Sequence, residues 1–214
     1  MTDVPNKFVI GIDLDNTLVC YDELFHGAAC EERLIEPSLP KNKEKIRDAI
    51  RLLPDGENQW TRLQAIVYGT RMHAAKLFEG SDVFLRHCAR LRIQTMIVCH
   101  KTRFATLDGR QVDLRQPARQ WLEAKGFFSD FGLSPGDLFF ESTRAEKIKR
   151  IETLHCTHFI DDLVEVFAED AFPKETKKLL FAPHGTACTD PAAPSLTFTS
   201  WRELGRFFFD DSRL

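Results

Sequence analysis

The stretch Phe8-Val-Ile-Gly-Ile12 is a short apolar run, and it ends abruptly in the polar segment Asp13-Leu-Asp-Asn-Thr17. A run of this length is too short for a helix and is typical of a buried strand that leads into a loop. Side chains two residues apart in extended backbone project to the same side, so Asp13 and Asp15 face one small volume while Leu14 turns away. Taken alone, the segment is equally consistent with a solvated turn, because Asp and Asn are common turn formers.

Four comparable apolar runs follow along the chain, and helical patterns lie between them. The runs cover residues 95–99, 137–140, 158–160 and 178–182, and the helical patterns cover residues 81–91, 117–125, 144–154 and 201–209. This alternation predicts an α/β fold with a Rossmann-like, mainly parallel sheet and helices on both of its faces. Ligands bind such a sheet at the carboxyl ends of its strands, where Asp13 and Asp15 are expected.

The segment between the first strand and the helical pattern at Ser81 is far longer than a simple crossover requires. It contains apolar residues at helical spacing over residues 43–53 and 59–78, with Gly69 as a weak point in the second pattern. We therefore expect residues 22–79 to form a small helical insertion, and residues 1–21 and 80–214 to form the main domain. The aromatic residues of the last helix are expected to pack on the sheet, with an oligomer contact as the alternative.

The composition excludes several classes of protein. The 214 residues are 43% hydrophobic and 29% charged, which fits a globular domain with a modest insertion. Lys and Arg total 29 against 32 Asp and Glu, a net charge of −3, so we expect neither a nucleic-acid nor a membrane partner. Six cysteines without a C-x-x-C pair, no secretory signal and no apolar run of about 20 residues predict a soluble, cytoplasmic protein with free thiols.

A second pair of acids, Asp161 and Asp162, ends the apolar run at residues 158–160. If this strand is a neighbour of the first, four carboxylates meet and repel one another unless a cation lies among them. Mg²⁺, held by carboxylates and by a substrate phosphate, is the usual cation in such a cluster. Lys147 lies near the start of the preceding helix, where its ammonium could reach the same volume; the alternative is an ordinary surface lysine.

These elements, in this order, resemble the haloacid dehalogenase (HAD) superfamily of aspartate-nucleophile phosphohydrolases. Residues 12–18, Ile-Asp-Leu-Asp-Asn-Thr-Leu, match the first motif of the superfamily, D-x-D-x-[TV]-[LV] preceded by an apolar strand. Asp161 and Asp162 match the two acids of its fourth motif, and Lys147 matches the lysine of its third. The resemblance covers about residues 7 to 185 and implies a small cap, here residues 22–79, inserted after the first motif.

The second motif departs from the superfamily pattern. A Ser or Thr that holds a phosphoryl oxygen is expected at the end of the second strand, but this chain has Cys99, followed by His100, Lys101 and Thr102, as in a V-S-H-K-T variant with cysteine for serine. A thiol is a weak donor. The resemblance places Cys99, His100, Lys101 and Thr102 at the phosphate. The alternatives are that Cys99 is only a small apolar residue at the strand end and that His100 is structural.

The resemblance also implies the role of each acid. Asp13 would attack phosphorus and form an aspartyl-phosphate, and Asp15 would protonate the leaving oxygen and later take a proton from water. Mg²⁺ would be held by Asp13, the carbonyl of Asp15 and Asp162, with Asp161 in support. Lys147 would neutralise charge on Asp13. Asp15 counts against dehalogenation, because that branch of the superfamily does not use a second aspartate as acid and base.

The expected function is therefore Mg²⁺-dependent hydrolysis of a small phosphorylated metabolite. A phosphotransferase and a catalytically weak phosphate-binding or regulatory protein are the alternatives, the latter because of Cys99; a response-regulator receiver fits less well. Glu165 is either a holder of metal-bound water or a solvated residue. Contacts to the leaving group would come from the insertion, whose polar and aromatic candidates are Trp60, Arg62, Tyr68, Arg71 and His73; packing is the alternative for the aromatic ones.

Overall fold

The computed structural model describes residues 8–185, 194 and 196–210. Ten strands lie within these residues. In chain order they are β1 (Val9–Ile12), β2 (Val19–Cys20), β3 (Lys76–Leu77), β4 (Gln94–His100), β5 (Phe104–Leu107), β6 (Arg110–Asp113), β7 (Leu138–Glu141), β8 (His158–Asp161), β9 (Lys177–Phe181) and β10 (Leu196–Phe198).

The same residues contain eight α-helices together with shorter helical turns. The α-helices are α1 (Asp22–Glu31), α2 (Lys43–Arg51), α3 (Gly56–Ala65), α4 (Ser81–Arg90), α5 (Arg115–Ala124), α6 (Arg144–Thr153), α7 (Val164–Phe167) and α8 (Trp201–Phe209). A π-helix covers Ile66–Thr70, and 3₁₀ turns cover Met72–Ala74 and Pro135–Asp137. None of the helices in the described part of the chain is long and apolar enough to cross a bilayer.

Six strands form one sheet in the order β10-β9-β8-β1-β4-β7, and every neighbouring pair in it is parallel. Strand β1 lies in the interior, where Gly11 is opposite Met96 of β4 and Phe159 of β8. The carboxyl ends of β1, β4 and β8 consequently lie along one edge of the sheet. The predicted α/β fold with a mainly parallel sheet is confirmed.

Helices cover both faces of this sheet. On one face, Val98 and Phe159 belong to an apolar cluster with Ile148 and Ile151 of α6. Gly11 lies beneath this cluster: a Cβ atom there would be 2.5 Å from the Phe159 ring, so only glycine permits the close packing of β1 and Phe159.

The opposite face is covered by α4 and α8. The rings of Phe84 and Trp201 lie 5.0 Å apart, and Phe208 lies 5.0 Å from the ring of His158 on β8. His158 and Phe159 point to opposite faces because successive side chains alternate along a strand. Trp201 and Phe208 are buried, which confirms that the aromatic residues of the last helix pack on the sheet.

The chain divides into two compact units. The first consists of residues 1–18, 77–100 and 126–214, and the second of Val19–Lys76 and Lys101–Lys125. The predicted insertion of residues 22–79 did not include residues 101–125. This segment contains the β5–β6 hairpin, whose turn at Asp108-Gly109 has a positive φ at both residues, as a two-residue turn requires. Within the second unit, Arg62 pairs with Asp108 at 3.0 Å.

The long helix predicted over residues 59–78 is wrong. Helix α3 ends at Ala65, the π-helix follows, and β3 begins at Lys76. Gly69 lies within the π-helix, and a Cβ atom there would lie 2.5 Å from Val112 of β6, so the hairpin packs directly against the π-helical backbone. A contact with a residue this distant in sequence cannot be deduced from local periodicity.

Candidate active site

Asp13 is the first residue after β1, and Asp161 is the last residue of the neighbouring strand β8. The backbone N–H of Asp13 donates to the carbonyl of Ile160 at 2.9 Å, which continues the β1–β8 pairing by one residue. Ile12 is paired with Ile160, so Asp13 and Asp161 are side by side. Asp13 is 4% exposed and Asp161 is fully buried. The strand register thus places two carboxylates together in a site with little water.

Lys147 connects these two acids. Its Nζ lies 2.6 Å from Asp13 Oδ1 and 2.6 Å from Asp161 Oδ2. Helix α6 begins with a capping box, in which the Thr143 side chain accepts from the N–H of Glu146, and Lys147 follows in the first turn. The side chain is 1% exposed, so the alternative of a surface lysine is wrong.

The charges of these buried groups depend on one another. Burial alone would lower the pKa of Lys147, but the carboxylates of Asp13 and Asp161 more than compensate and raise it. Burial is also the main reason why the pKa of Asp13 is raised from 3.8 to about 7, with Lys147 opposing the shift. Lys147 therefore stays cationic, and its charge reduces the free energy needed to ionise Asp13.

This environment predicts a pH-dependent stability. A carboxyl group whose pKa is higher in the folded than in the unfolded state binds more protons when folded, so its contribution to stability is lost as pH rises. For Asp13 this loss extends from the ordinary value of 3.8 to about 7. We expect the difference in unfolding free energy between Asp13→Asn and the wild type, measured by urea denaturation in EDTA, to rise with pH over this range. A difference independent of pH would contradict the environment assigned to Asp13.

Asp162 completes an acidic cluster, which we define as Asp13, Asp161 and Asp162. One carboxylate oxygen of each lies within 4.8 Å of the others. One lysine cannot balance three ionised carboxylates, and oxygen ligands of this kind suit a hard divalent cation such as Mg²⁺. The residues present therefore fit a magnesium site.

The loop after β1 brings two more groups to this edge. Asn16 has a φ of 62°, which turns the chain tightly. Thr17 is buried, and its hydroxyl donates to Asp162 Oδ1 at 3.4 Å. The position of Thr17 in the D-x-D-x-T pattern was the only sequence signal that it lies near the acids. The motif alone did not specify this hydrogen bond. Asp15 is half-buried, and its Oδ2 lies 3.6 Å from the thiol sulfur of Cys99 at the end of β4.

The remaining candidates of the second motif are divided between the two units. His100 lies at the end of β4 and is partly exposed, with Nε2 3.1 Å from the Ser142 carbonyl. Partial burial of the ring lowers its pKa. Lys101 and Thr102 belong to the second unit. Lys101 is buried, with Nζ 4.7 Å from the centre of the Tyr68 ring, whereas Thr102 is exposed. Phosphate binding by these residues and Cys99 stays a prediction.

The candidates of the insertion have structural contacts in the second unit. Trp60 is buried and stacks on Phe25 at 4.9 Å, and Tyr68 lies edge-on to Phe25 at 5.5 Å. Arg62 pairs with Glu32 and Asp108, and Arg71 pairs with Glu31. His73 is exposed. Packing, the alternative reading of the aromatic residues, accounts for Trp60 and Tyr68, and the role of this group in binding a leaving group stays a prediction.

Known proteins resemble the chain in structure rather than in sequence. No family profile and no curated protein sequence matches it. A HAD-family hydrolase from Deinococcus radiodurans, whose structure contains bound phosphate and sodium, has a TM-score of 0.60 at 14% identity over 96% of both chains. A haloacid dehalogenase-like hydrolase from Streptococcus pneumoniae has a TM-score of 0.61 at 17% identity, covering 94% of this chain and 98% of its own.

A predicted phosphoglycolate phosphatase from Haemophilus somnus has a TM-score of 0.57 at 14% identity, covering 95% of this chain and 99% of its own. A dehalogenase is also among the matches. These similarities extend over nearly the whole chain. In this chain, the strand that precedes Asp13 and the strand that ends at Asp161 are adjacent in the sheet. The chain therefore has the fold of the hydrolases of the haloacid dehalogenase superfamily.

Proposed function

We propose that this protein is an enzyme of the HAD type, a Mg²⁺-dependent phosphatase that hydrolyses the phosphomonoester of a small metabolite. The observation that carries the proposal is the contact of Lys147 with both Asp13 and Asp161 at the strand ends, beside Asp162. A purely structural ion pair would not require a third carboxylate within 4.8 Å of the other two.

In the proposed reaction, an oxygen of Asp13 attacks phosphorus in line with the ester bond. The P–O bond to the leaving group breaks as the bond to Asp13 forms, and Asp15 donates a proton to the departing oxygen. Asp15 then takes a proton from water as the water attacks the aspartyl-phosphate, which releases phosphate and restores Asp13. Lys147 favours the ionised form of Asp13 and orients its carboxylate through the 2.6 Å contact.

Asp13 and Asp162, with the backbone carbonyl of Asp15, would hold Mg²⁺, and Asp161 would support the site. When bound, Mg²⁺ neutralises phosphate charge, so that an anionic nucleophile can approach an anionic ester. Asp161 is already held by Lys147 and by the Leu163 N–H, which donates to its Oδ1 at 3.0 Å. This arrangement supports Asp162, rather than Asp161, as the direct ligand.

Dehalogenation is the competing chemistry, since a dehalogenase has a similar fold. A halide ion leaves without a proton, so that reaction needs no general acid for its leaving group, which is the first role proposed for Asp15. Asp15, two residues from Asp13, favours the phosphatase. We expect no halide release from 2-haloalkanoic acids under conditions in which phosphate esters are hydrolysed.

The test is a screen of phosphorylated sugars, nucleotides and cofactors, together with 4-nitrophenyl phosphate, in Mg²⁺ and in EDTA. Phosphate release that requires Mg²⁺ would support the proposal, and activity that survives chelation would contradict it. Transfer of phosphate to an added alcohol would identify a phosphotransferase instead. Binding of Mg²⁺ and vanadate without turnover would identify a phosphate-binding protein.

Asp162→Asn provides a sharper test of the metal site. We expect the Mg²⁺ concentration for half-maximal activity to rise at least tenfold, since a charged ligand is replaced by a neutral one. Asp170→Asn is the matched control, because Asp170 is an exposed acid eight residues further along and outside the acidic cluster. Equal effects of the two changes would remove the basis for assigning Asp162 to the metal.

A further inference from the structure

Cys99 ends the apolar part of β4 next to the loop that carries Asp15. Strand β4 is paired with β1, with Ile97 opposite Ile12, so both residues lie just beyond the last paired positions of adjacent strands. Cys99 is 1% exposed, and its Sγ lies 3.6 Å from Asp15 Oδ2. A carboxylate accepts hydrogen bonds, and a protonated thiol can donate one, so the S–H of Cys99 is the donor in this contact.

We propose that Cys99 is a positioning residue for Asp15, the acid and base of the proposed function, on which this inference rests. The thiol holds Oδ2 and thereby fixes the rotation of the carboxyl group. The carboxyl group is then kept in one orientation for proton transfer to the leaving oxygen. The sulfur thus acts on the proton-transfer step through Asp15 and makes no bond to the phosphoryl group.

The length of the contact explains why a thiol suits this position. Hydrogen bonds between two oxygens have lengths of about 2.5–3.0 Å, and a serine oxygen would also lie closer to its own Cβ than sulfur does. At an unchanged backbone, a hydroxyl would therefore be too distant from Oδ2, and Asp15 would have to move towards it. Cys99→Ser should accordingly restore only part of the positioning that Cys99→Ala removes.

Two aryl phosphates of similar size separate this role from phosphate binding. The leaving group of 4-nitrophenyl phosphate departs readily without a proton, whereas that of phenyl phosphate depends more on Asp15. For Cys99→Ala we expect kcat/KM for phenyl phosphate to fall roughly tenfold, a part of what a general acid contributes. This ratio reports formation of the aspartyl-phosphate and not its hydrolysis, and for 4-nitrophenyl phosphate it should change by less than about twofold. Cys99→Ser should lie between Cys99→Ala and the wild type.

Cys88→Ala is the matched control, because Cys88 is a buried cysteine on α4 that has no assigned part in the site. It should leave the ratio of the two kcat/KM values unchanged. Equal losses of kcat/KM on both esters in Cys99→Ala would overturn the proposal and favour a contact with phosphate.

A spectroscopic measurement tests the same contact without any turnover. The infrared S–H stretching band of Cys99 is identified by its disappearance in Cys99→Ser. We expect this band to move to higher wavenumber in Asp15→Ala, because the S–H bond loses its acceptor. An unmoved band would overturn the inference even in an active enzyme. A wild type that hydrolyses no phosphate ester of the screen but shows the shift would instead refute the proposed function and support the contact.

Discussion

Asp13→Asn should lower kcat for every phosphate ester that the wild type hydrolyses by at least about 10³-fold, because an amide is a poor nucleophile at phosphorus. The substitution keeps the size of the side chain. It also removes a buried carboxyl group whose pKa is raised by burial, so the fold should be retained. Steady-state rates with saturating Mg²⁺ measure the effect.

Asp170→Asn is the control for Asp13→Asn, because Asp170 is an exposed acid outside the acidic cluster. Its kcat should stay within about twofold of the wild-type value. Asp13→Asn with more than a tenth of wild-type activity would contradict the assignment of Asp13 as the nucleophile.

Lys147→Met should both inactivate and destabilise the protein. Removal of one partner from a buried ion pair typically costs about 3–5 kcal/mol, since the remaining charge is left without compensation. Here Asp13 and Asp161 would both lose their 2.6 Å contacts. At about 2–4 °C per kcal/mol for a chain of this size, the melting temperature at pH 8 in EDTA should fall by roughly 10 °C.

Two further variants show whether this loss is caused by the ion pair. Lys149→Met changes an exposed lysine of the same helix and should have little effect. In the Asp13→Asn background, Lys147→Met should lower the free energy of unfolding clearly less than in the wild type. One of the two carboxylates that would lose its cationic partner is then absent. Additive costs would show that Lys147 and Asp13 do not interact.

The sequence predicted the central strands β1, β4 and β8 well because they are buried on both faces. Residues 8–12 and 158–160 are continuous apolar runs that end in acids, and both runs are adjacent parallel strands in the structure. The proximity of Asp13, Asp161 and Asp162 follows from this register. Lys147 lies near these acids because the helix that carries it, α6, precedes β8 and packs on the sheet.

The second unit was harder to predict because its elements depend on partners distant in sequence. Strands β5 and β6 are partly exposed, β5 is interrupted by Thr106 and β6 is mostly polar, so they lack the continuous apolar run that identifies β1. The Asp108-Gly109 turn between them is the local signal that could have revealed the hairpin. The packing of Val112 against Gly69 joins residues that are distant in sequence, and no local pattern contains it.

The contact between Cys99 and Asp15 also lay beyond sequence reasoning. The motif placed Cys99 where a hydroxyl would bind phosphate, and strand order placed it near β1. The direction of the Asp15 side chain, however, depends on the tight turn at Asn16, whose positive φ is unusual for a residue other than glycine. The sequence could therefore identify the neighbours of the site but not this pairing.

The proposed mechanism requires a transient covalent bond between phosphorus and Asp13. Enzyme mixed with Mg²⁺ and a substrate from the screen is quenched in acid, digested with pepsin and analysed by mass spectrometry. We predict a phosphoryl group on Asp13 that hydroxylamine removes, as expected for an acyl phosphate, and that is absent from Asp13→Asn. A phosphoryl group on another residue, such as His100, or turnover with no phosphorylated peptide at any quench time, would contradict the proposed mechanism.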